Sequence, residues 1–450
     1  MLGMGWEWSD GVCRFFERVK KSVRSQMRVL VFGLTREARS HTHGDAPAGL
    51  VALGSGGFGF AVGLRDGGPA AWGAAAPALP TPWPPVAGEG GETPPTPLAI
   101  AAAQDTVMLL TPTVVYAHGW DGDGLVSGGC GEDGRRCGPT NLLPPDNAWA
   151  RVPLPLPPTL TLTSISVGQS HALVLDSHGR VWAWGSDAEG QVGLVVGGTP
   201  ATTQPASPPS PSSPACVLGP GSLRGGPACA AIAAGGRHSL ALARAAAPPS
   251  TSAARRPQQP RPPPSSHPPC VFAWGWAGRG QCGPGLSTPC LRVPTAIGGL
   301  GELHAPVTAI AAGAAHSLFL AGGGAYWVGA GWASPCSPGG ARGGHDTATP
   351  TLVTGGLLDG AGPGGDVAAI AAGARHSVAL TVAGAVVGWG CARQGGLGEA
   401  ARAAVLGRDE GEDGGIGPVT LMAGGAVSVR AGWWHTLVEV VDAEAWNDKP

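Results

Sequence analysis

Short runs of small and apolar residues recur along this chain, and each run is followed by the same spacing of Gly-x-x-His and an aromatic-Gly pair. The clearest copy places these features in Ser166–Leu175, Ser177–Gly179 and Val181–Trp184. Aromatic residues at alternate positions are typical of a half-buried β-strand, and Ser-His-Gly is a turn sequence. Each unit is therefore predicted to contain an inner strand with His at its end, a second strand, and a third strand that ends at Trp-Gly.

The repeat has a period of about 60 residues, which makes a repeat architecture the first prediction. Two degenerate copies, with Phe60 and Thr106 in the place of His, precede five clear ones. The predicted structural positions of the clear copies are Gly168, His171, Trp184, Gly185, Gly235, His238, Trp274, Gly275, Gly313, His316, Gly373, His376, Trp389, Gly390, Gly432 and His435. Outer strands are predicted at Pro294–Ile297 and Pro350–Val353, where an initial proline is tolerated.

Counting the units indicates how the chain closes. The unit starts are Gly57, Ala103, Gly168, Gly235, Gly313, Gly373 and Gly432, and the third-strand ends are Gly33, Gly73, Gly119, Gly185, Gly275, Gly329 and Gly390. The first end has no start before it, and the last start has no end after it. The N-terminal strand is therefore predicted to complete the last unit, which removes exposed strand edges.

The phrases at residues 166–193 and 370–398 resemble the regulator of chromosome condensation repeat. The resemblance covers about residues 28–442 and is strong in five units and weak in the first two. It implies an all-β fold, a seven-bladed β-propeller of four-stranded blades closed by an N-terminal strand that completes the last blade. It also implies an architectural role for the repeated histidines.

Three segments are predicted. Residues 1–26 form a basic extension, predicted to be partly helical or disordered, although translation could instead begin at Met27. Residues 27–442 form the propeller, with a Pro-rich insertion at 245–269 that is predicted to be disordered and to separate a second from a third strand. Residues 443–450 form a tail.

Composition excludes some function classes. The formal charge of -2 over 450 residues argues against a dedicated nucleic-acid binder, so only weak binding through the basic N-terminus is expected. The ten cysteines are scattered without a C-x-x-C motif, which indicates a reducing compartment, cytoplasmic or nuclear. Residues 303–341 lack Lys, Arg, Asp and Glu, but they follow the repeat, so strands are predicted and no membrane span.

The histidines are the most conspicuous candidates for chemistry. One repeat position in five blades could form a metal-binding ring, but Phe60 and Thr106 interrupt it. A His that hydrogen-bonds backbone groups of its own blade through both ring nitrogens is the alternative that we favour. Trp433-Trp434 resembles a tryptophan motif of the plant UV-B photoreceptors with this repeat, but the other blades lack the matching tryptophans. No catalytic residue, cofactor or metal is predicted.

Two functions of different class agree with these features. The first is a non-catalytic scaffold that binds a protein partner through loops on a rigid, monomeric body. The second follows from the resemblance, because the founding family member is a guanine-nucleotide exchange factor for the small GTPase Ran. The low-complexity loops of this chain offer no residues onto which exchange can be mapped.

Overall fold

The computed structural model describes twenty-one stretches of the chain. They are residues 27–33, 50–54, 56, 60–65, 68–73, 76–80, 96–119, 124–126, 149–157, 159–194, 214–222, 225–244, 271–283, 289–303, 305–331, 346–355, 358, 367–393, 396–398, 401 and 415–441. The predicted extension 1–26, the insertion 245–269 and the tail 443–450 lie outside them.

Seven antiparallel sheets form the blades of a ring, which confirms the predicted seven-bladed propeller. The first described strand, β1 (Met27–Gly33), belongs to blade 7 and pairs with a strand from the other end of the sequence. Blade 1 contains β2 (Leu50–Leu53), β3 (Ala61–Arg65) and β4 (Gly68–Trp72). Blade 2 contains β5 (Ala99–Ala103), β6 (Thr106–Leu110), β7 (Val115–Gly119) and β8 (Ala150–Val152). Blade 3 contains β9 (Leu162–Val167), β10 (His171–Asp176), β11 (Val181–Gly185) and β12 (Ala215–Leu218).

The remaining blades follow the same order. Blade 4 contains β13 (Cys229–Ala234), β14 (His238–Ala243), β15 (Val271–Trp276) and β16 (Cys290–Ala296). Blade 5 contains β17 (Val307–Ala312), β18 (His316–Ala321), β19 (Gly324–Gly329) and β20 (Thr347–Leu352), after a 3-10 turn at Leu300–Glu302. Blade 6 contains β21 (Val367–Ala372), β22 (His376–Thr381), β23 (Val386–Cys391) and β24 (Gly415–Met422). Blade 7 adds β25 (Ala426–Ala431) and β26 (His435–Val441).

Strand β1 closes the ring as predicted. It pairs antiparallel with β26, from Met27 opposite Val441 to Gly33 opposite His435, in the sheet order β1-β26-β25. It therefore takes the third-strand place of blade 7. Within the described residues, blades 1 and 7 have three strands each and the other five blades have four.

Two backbone requirements explain the third and outer strands. The glycines of the Trp-Gly pairs, Gly185, Gly275 and Gly390, have φ values of 106, 101 and 102°, a region that favours glycine. The predicted outer strands began too late: β16 starts at Cys290 and β20 at Thr347, so Pro294 and Pro350 lie inside them. Both prolines sit where the pairing with the third strand shifts register, a bulge at which no ladder N–H is needed.

The hydrophobic core lies in the seams between neighbouring blades. Trp184 belongs to a buried cluster that combines residues of blades 2 and 3, Trp274 to one of blades 3 and 4, and Trp389 to one of blades 5 and 6. Each of these tryptophans thus packs towards the preceding blade. The uncharged segment 303–341 forms β17, β18 and β19 where it is described, and no helix of the described residues is long and apolar enough to cross a membrane.

The ring has two faces of different construction. At the histidine face, the first strand of each blade ends, the second begins, and the third ends. At the turn face, the second strand turns into the third, as at Ser177–Gly179, where Gly179 N–H donates to Asp176 O. Asp176 accepts further bonds from Arg180 and Trp182. Burial alone would raise the pKa of Asp176, but these bonds outweigh it and lower the pKa.

Candidate functional site

The five repeated histidines lie in the seams at the histidine face, each as the first residue of a second strand rather than at the end of an inner strand. In four of them Nε2 contacts a hydroxyl of the next blade. The pairs are His171 with Ser239 at 2.9 Å, His238 with Ser317 at 3.0 Å, His316 with Ser377 at 2.9 Å and His376 with Thr436 at 3.1 Å. The prediction that Nε2 bonds the backbone of its own blade is therefore wrong, because the ring points across the seam.

The hydroxyls fix the direction of these hydrogen bonds. Ser239 Oγ donates to the carbonyl of Gln191 at 2.7 Å, and Ser317 Oγ donates to that of Gln281 at 2.8 Å. Thr436 Oγ1 does the same to the carbonyl of Gly396 at 2.7 Å. Because a hydroxyl has one proton, it must accept the second bond from an Nε2–H of the histidine. We call the bond from Nε2–H to the hydroxyl of the next blade the seam hydrogen bond.

Burial keeps these imidazoles neutral. Desolvation lowers the pKa of His171, His238, His316 and His376 to about 3, and that of His435 to about 4. Where the chain is described, no group of three or more His, Cys, Asp or Glu side chains is placed to hold a metal ion. The architectural role of the histidines stays a prediction, and the substitutions proposed below test it.

The glycine of Gly-x-x-His makes room for the histidine ring. A Cβ on Gly168, Gly235, Gly313, Gly373 or Gly432 would overlap the ring of the histidine three residues later. On the first four it would also meet the carbonyl oxygen of the matching glycine in the next blade. Neighbouring loops are joined there by backbone bonds such as Gly236 N–H to Gly313 O at 3.0 Å. The glycine, the histidine and the seam hydrogen bond therefore form one packed unit.

The tryptophan of the Trp-Gly pair packs in the seam with the preceding blade. Trp184, Trp274 and Trp389 are fully buried, and Trp184 Nε1–H donates to Leu125 O of blade 2 at 3.0 Å. Blades 3, 4 and 6 thus have one residue for each of their two seams, with His reaching the following blade and Trp packing against the preceding one. In blade 5 Val328 takes the tryptophan position, opposite Ser317.

Sequence reasoning missed the hydroxyl residues. Ser239, Ser317, Ser377 and Thr436 are fully buried, and each directly follows a repeated histidine. The signal was present, because Ser or Thr follows the histidine in four of the five clear copies and Ala172 follows it in the first. Blade 2 has Thr106 instead of the repeated histidine, so a hydroxyl at the position of Ala172 in blade 3 would have no histidine to bond.

The loops of the histidine face carry a second polar network. Asp187 accepts the N–H of Val192 at 2.8 Å, and its burial raises the pKa to about 6. Gln191 Oε1 accepts the N–H of Glu189 at 2.9 Å. At the surface Arg237 lies 3.7 Å from Glu189.

Further out on this face, Arg279 lies 3.1 Å from Asp346. Near the axis, Trp433 and Trp434 are half-buried, and Trp433 packs against the cluster of blades 2 and 3. The equivalent positions of Trp433 are Gln169, Gly236, Ala314 and Ala374, so blade 7 has the bulkiest side chain at this point of the ring.

Comparison with known proteins agrees with this geometry. Two sequence families, both described as the regulator of chromosome condensation (RCC1) repeat, match residues 162–191 and 367–395 and residues 178–242 and 270–320. No curated protein matches the chain.

Solved structures match over almost the whole chain. Human WBSCR16 superposes with a TM-score of 0.65 at 18% identity, over 92% of this chain and 98% of the other. Prp20p of Saccharomyces cerevisiae, described with its binding to Gsp1p and histones, gives 0.61 at 17% identity, over 95% and 97% of the two chains. Yeast RCC1 (Prp20) solved with Kap60 gives 0.63 at 18% identity, over 95% and 94%. Residues 162–242, 270–320 and 367–395 therefore match the regulator of chromosome condensation repeat, and the described residues form a seven-bladed β-propeller.

Proposed function

We propose that this chain is a non-catalytic protein-interaction scaffold. The observation that carries the proposal is the use of the repeated polar residues. His171, His238 and His376 are fully buried, neutral and bonded to the next blade, so they stiffen the ring and present nothing to a substrate. A rigid ring whose loops differ from blade to blade is suited to recognition.

We place the partner on the histidine face. The residue before the repeated histidine is Arg237 in blade 4, Arg375 in blade 6 and Trp434 in blade 7. Arginine and tryptophan are enriched at the centres of protein interfaces. Arg237 leaves 56% of its side chain exposed, so it can contact a partner without disturbing the seam beneath it.

The test compares two substitutions on opposite faces. Arg237→Glu changes the histidine face, and Val382→Asp changes an equally small area on the turn face, where Val382 is 74% exposed. Each purified variant and the parent are immobilised, and the captured proteins are quantified by mass spectrometry. We expect Arg237→Glu to lower capture of a reproducible partner at least about tenfold, as for an interface hot spot, and Val382→Asp to leave it unchanged. Absence of any reproducible partner would count against the scaffold.

Exchange-factor activity is the second candidate. It is favoured by the likeness to Prp20p, whose structure is described with its binding to Gsp1p and histones. Exchange on a small Ras-like GTPase makes no covalent bond, so it agrees with a site that has no catalytic group. For either function we propose a cytoplasmic or nuclear protein, acting as a monomer, with at most weak nucleic-acid binding through its basic N-terminus.

The exchange candidate has a separate test. Gsp1p and Ran are loaded with a fluorescent guanine nucleotide, and its release is followed with this protein or with Prp20p as the positive control. Acceleration that depends on the concentration of this protein would replace the scaffold by an exchange factor. Release at the intrinsic rate, in a preparation where Prp20p is active, would remove the exchange candidate for these GTPases.

A further inference from the structure

We propose that the seam between blade 7 and blade 1 is the opening point of the ring. Four consecutive seams, from blade 3 to blade 7, carry the seam hydrogen bond. The seam from blade 7 to blade 1 has the histidine but lacks the hydroxyl.

His435 is the unmatched histidine. Its side chain is buried, with 5% of the residue exposed, and Nε2 has no hydrogen-bond partner. A Cβ on Gly56 would overlap its ring, so the ring lies against the start of blade 1. A buried polar atom without a partner loses its bond to water and gains nothing in return. Nδ1 of His171 and His238 is also buried without a partner, so what distinguishes this seam is the missing hydrogen bond to the next blade.

The missing hydroxyl can be placed by strand register. Ser239 lies opposite Trp274 in its blade, one residue before Gly275. Ala61 lies opposite Trp72, one residue before Gly73. Ala61 is therefore the residue of blade 1 that corresponds to Ser239, and its methyl group has no oxygen for Nε2–H of His435.

The other two seams without a seam hydrogen bond differ in kind. Between blades 1 and 2, Phe60 holds the histidine position and Val107 the hydroxyl position. Both are apolar and lie in one buried cluster. Between blades 2 and 3, Thr106 holds the histidine position and Ala172 the hydroxyl position. This seam has instead the hydrogen bond from Trp184 to Leu125 O. Between blades 7 and 1, the described buried cluster contains Val29, Ala61 and Leu437, with Leu50, Leu53 and Trp72 packed against it.

Separation of the two blades at this seam leaves each sheet intact. The strands of blade 7, including β1, keep their pairing with β26, and β2 and β3 keep theirs. What opens is the packing between two sheets, so the movement exposes Ala61 and Leu437 to water. The ring can therefore open at this seam without global unfolding.

Hydrogen exchange of the full chain, followed by mass spectrometry, tests the proposal. Backbone amides of β2, β3, β25 and β26 are compared with those of β14 and β17, which flank the seam between blades 4 and 5. We expect the first group to exchange faster, because a sheet that loses the packing on one face opens its strand pairing more often. Ala61→Ser supplies the missing hydroxyl and should slow that group about two- to tenfold, which corresponds to one hydrogen bond. Ala172→Ser is the matched control, because it adds the same buried hydroxyl where no histidine faces it, and it should not slow exchange of that group.

Two results would overturn the proposal: equal exchange at the two seams of the parent, or no slowing by Ala61→Ser beyond that of Ala172→Ser. A reciprocal variant covers the case in which Ala61→Ser folds poorly. Ser239→Ala removes the partner of His171 and should speed exchange of β10 and β13, at the seam between blades 3 and 4, by a similar factor. No effect of Ser239→Ala would contradict the idea that the seam hydrogen bond holds blades together.

Discussion

The seam between blades 4 and 5 and the seam between blades 7 and 1 use the same histidine to different effect. His238 donates to Ser317, which in turn donates to the carbonyl of Gln281, so a continuous chain of hydrogen bonds crosses that seam. His435 occupies the same repeat position, but Ala61 stands at the place where the next blade would supply the hydroxyl, and Nε2 of His435 has no partner. The contribution of a repeated histidine to stability thus depends on whether the next blade supplies a hydroxyl.

Lowering the pH should have the largest effect on the free energy of unfolding. The unfolded chain protonates its histidines near pH 6.5, whereas folded His171 and His238 do so only near pH 3. The free energy of unfolding should therefore fall as the pH falls from 6.5 towards 3, by up to about 1.4 kcal/mol per pH unit for each histidine.

Asp187 has the opposite effect on the pH dependence of the free energy of unfolding. Its pKa is raised to about 6 in the fold, so its contribution grows as the pH falls from 6 towards 4 and offsets about one histidine. Denaturant unfolding at several pH values between 7.5 and 4.5 measures the sum. A free energy that stays flat over this range would contradict the burial of the five imidazoles.

Deletion of Val29–Gly33 should have the next largest effect. It removes most of β1 from blade 7, together with Val29 from the already weak seam. We expect the free energy of unfolding to fall by several kcal/mol, because a blade loses its third strand and an edge is exposed. Thermal unfolding gives the value, with deletion of residues 443–450 as the control. A variant that melts like the parent would disprove closure by the N-terminal strand.

Gly313→Ala tests the packed unit of glycine and histidine in a bonded seam. The added methyl would overlap the His316 ring and contact the backbone of Gly373, so we expect a loss of about 2–4 kcal/mol in the free energy of unfolding. Gly298→Ala is the control, because a Cβ there meets nothing within 4 Å. Equal unfolding curves for the two variants would show that the glycine is not needed for packing.

Paired substitutions of histidine give the smallest but sharpest contrast. His238→Phe removes the donor to Ser317 and should cost about 1–2 kcal/mol more than His435→Phe, which removes an atom that has no partner. The larger size of phenylalanine is common to both variants, and Phe60 shows that this repeat position accepts it. Chemical denaturation of both proteins measures the difference, and equal losses would argue against the seam hydrogen bond.

Much of the fold could be predicted because the repeat reports it directly. The glycines at the third-strand ends and the closing β1 lie where the spacing predicts them, since positive φ and strand alternation leave a mark on sequence. The outer strands were misplaced at Pro294 and Pro350 because a proline at a bulge looks the same in sequence as a proline at a strand start.

The partner of each histidine could not be obtained from the unit alone. A single unit does not show whether the ring turns into its own blade or across to the next. Ser239 and Ser317 lie 68 and 79 residues from the histidines that they bond, so only the arrangement of two blades brings them together.

The sequence by itself determined the number of blades, their order and the strand that closes the ring, because these properties depend on local spacing that each unit repeats. The tertiary structure alone decided which seams are held by a hydrogen bond. A seam hydrogen bond needs Nε2 of one blade and a hydroxyl of the next within about 3 Å. That condition joins residues distant in sequence, and it is met four times and missed at His435 because Ala61 has no oxygen to offer.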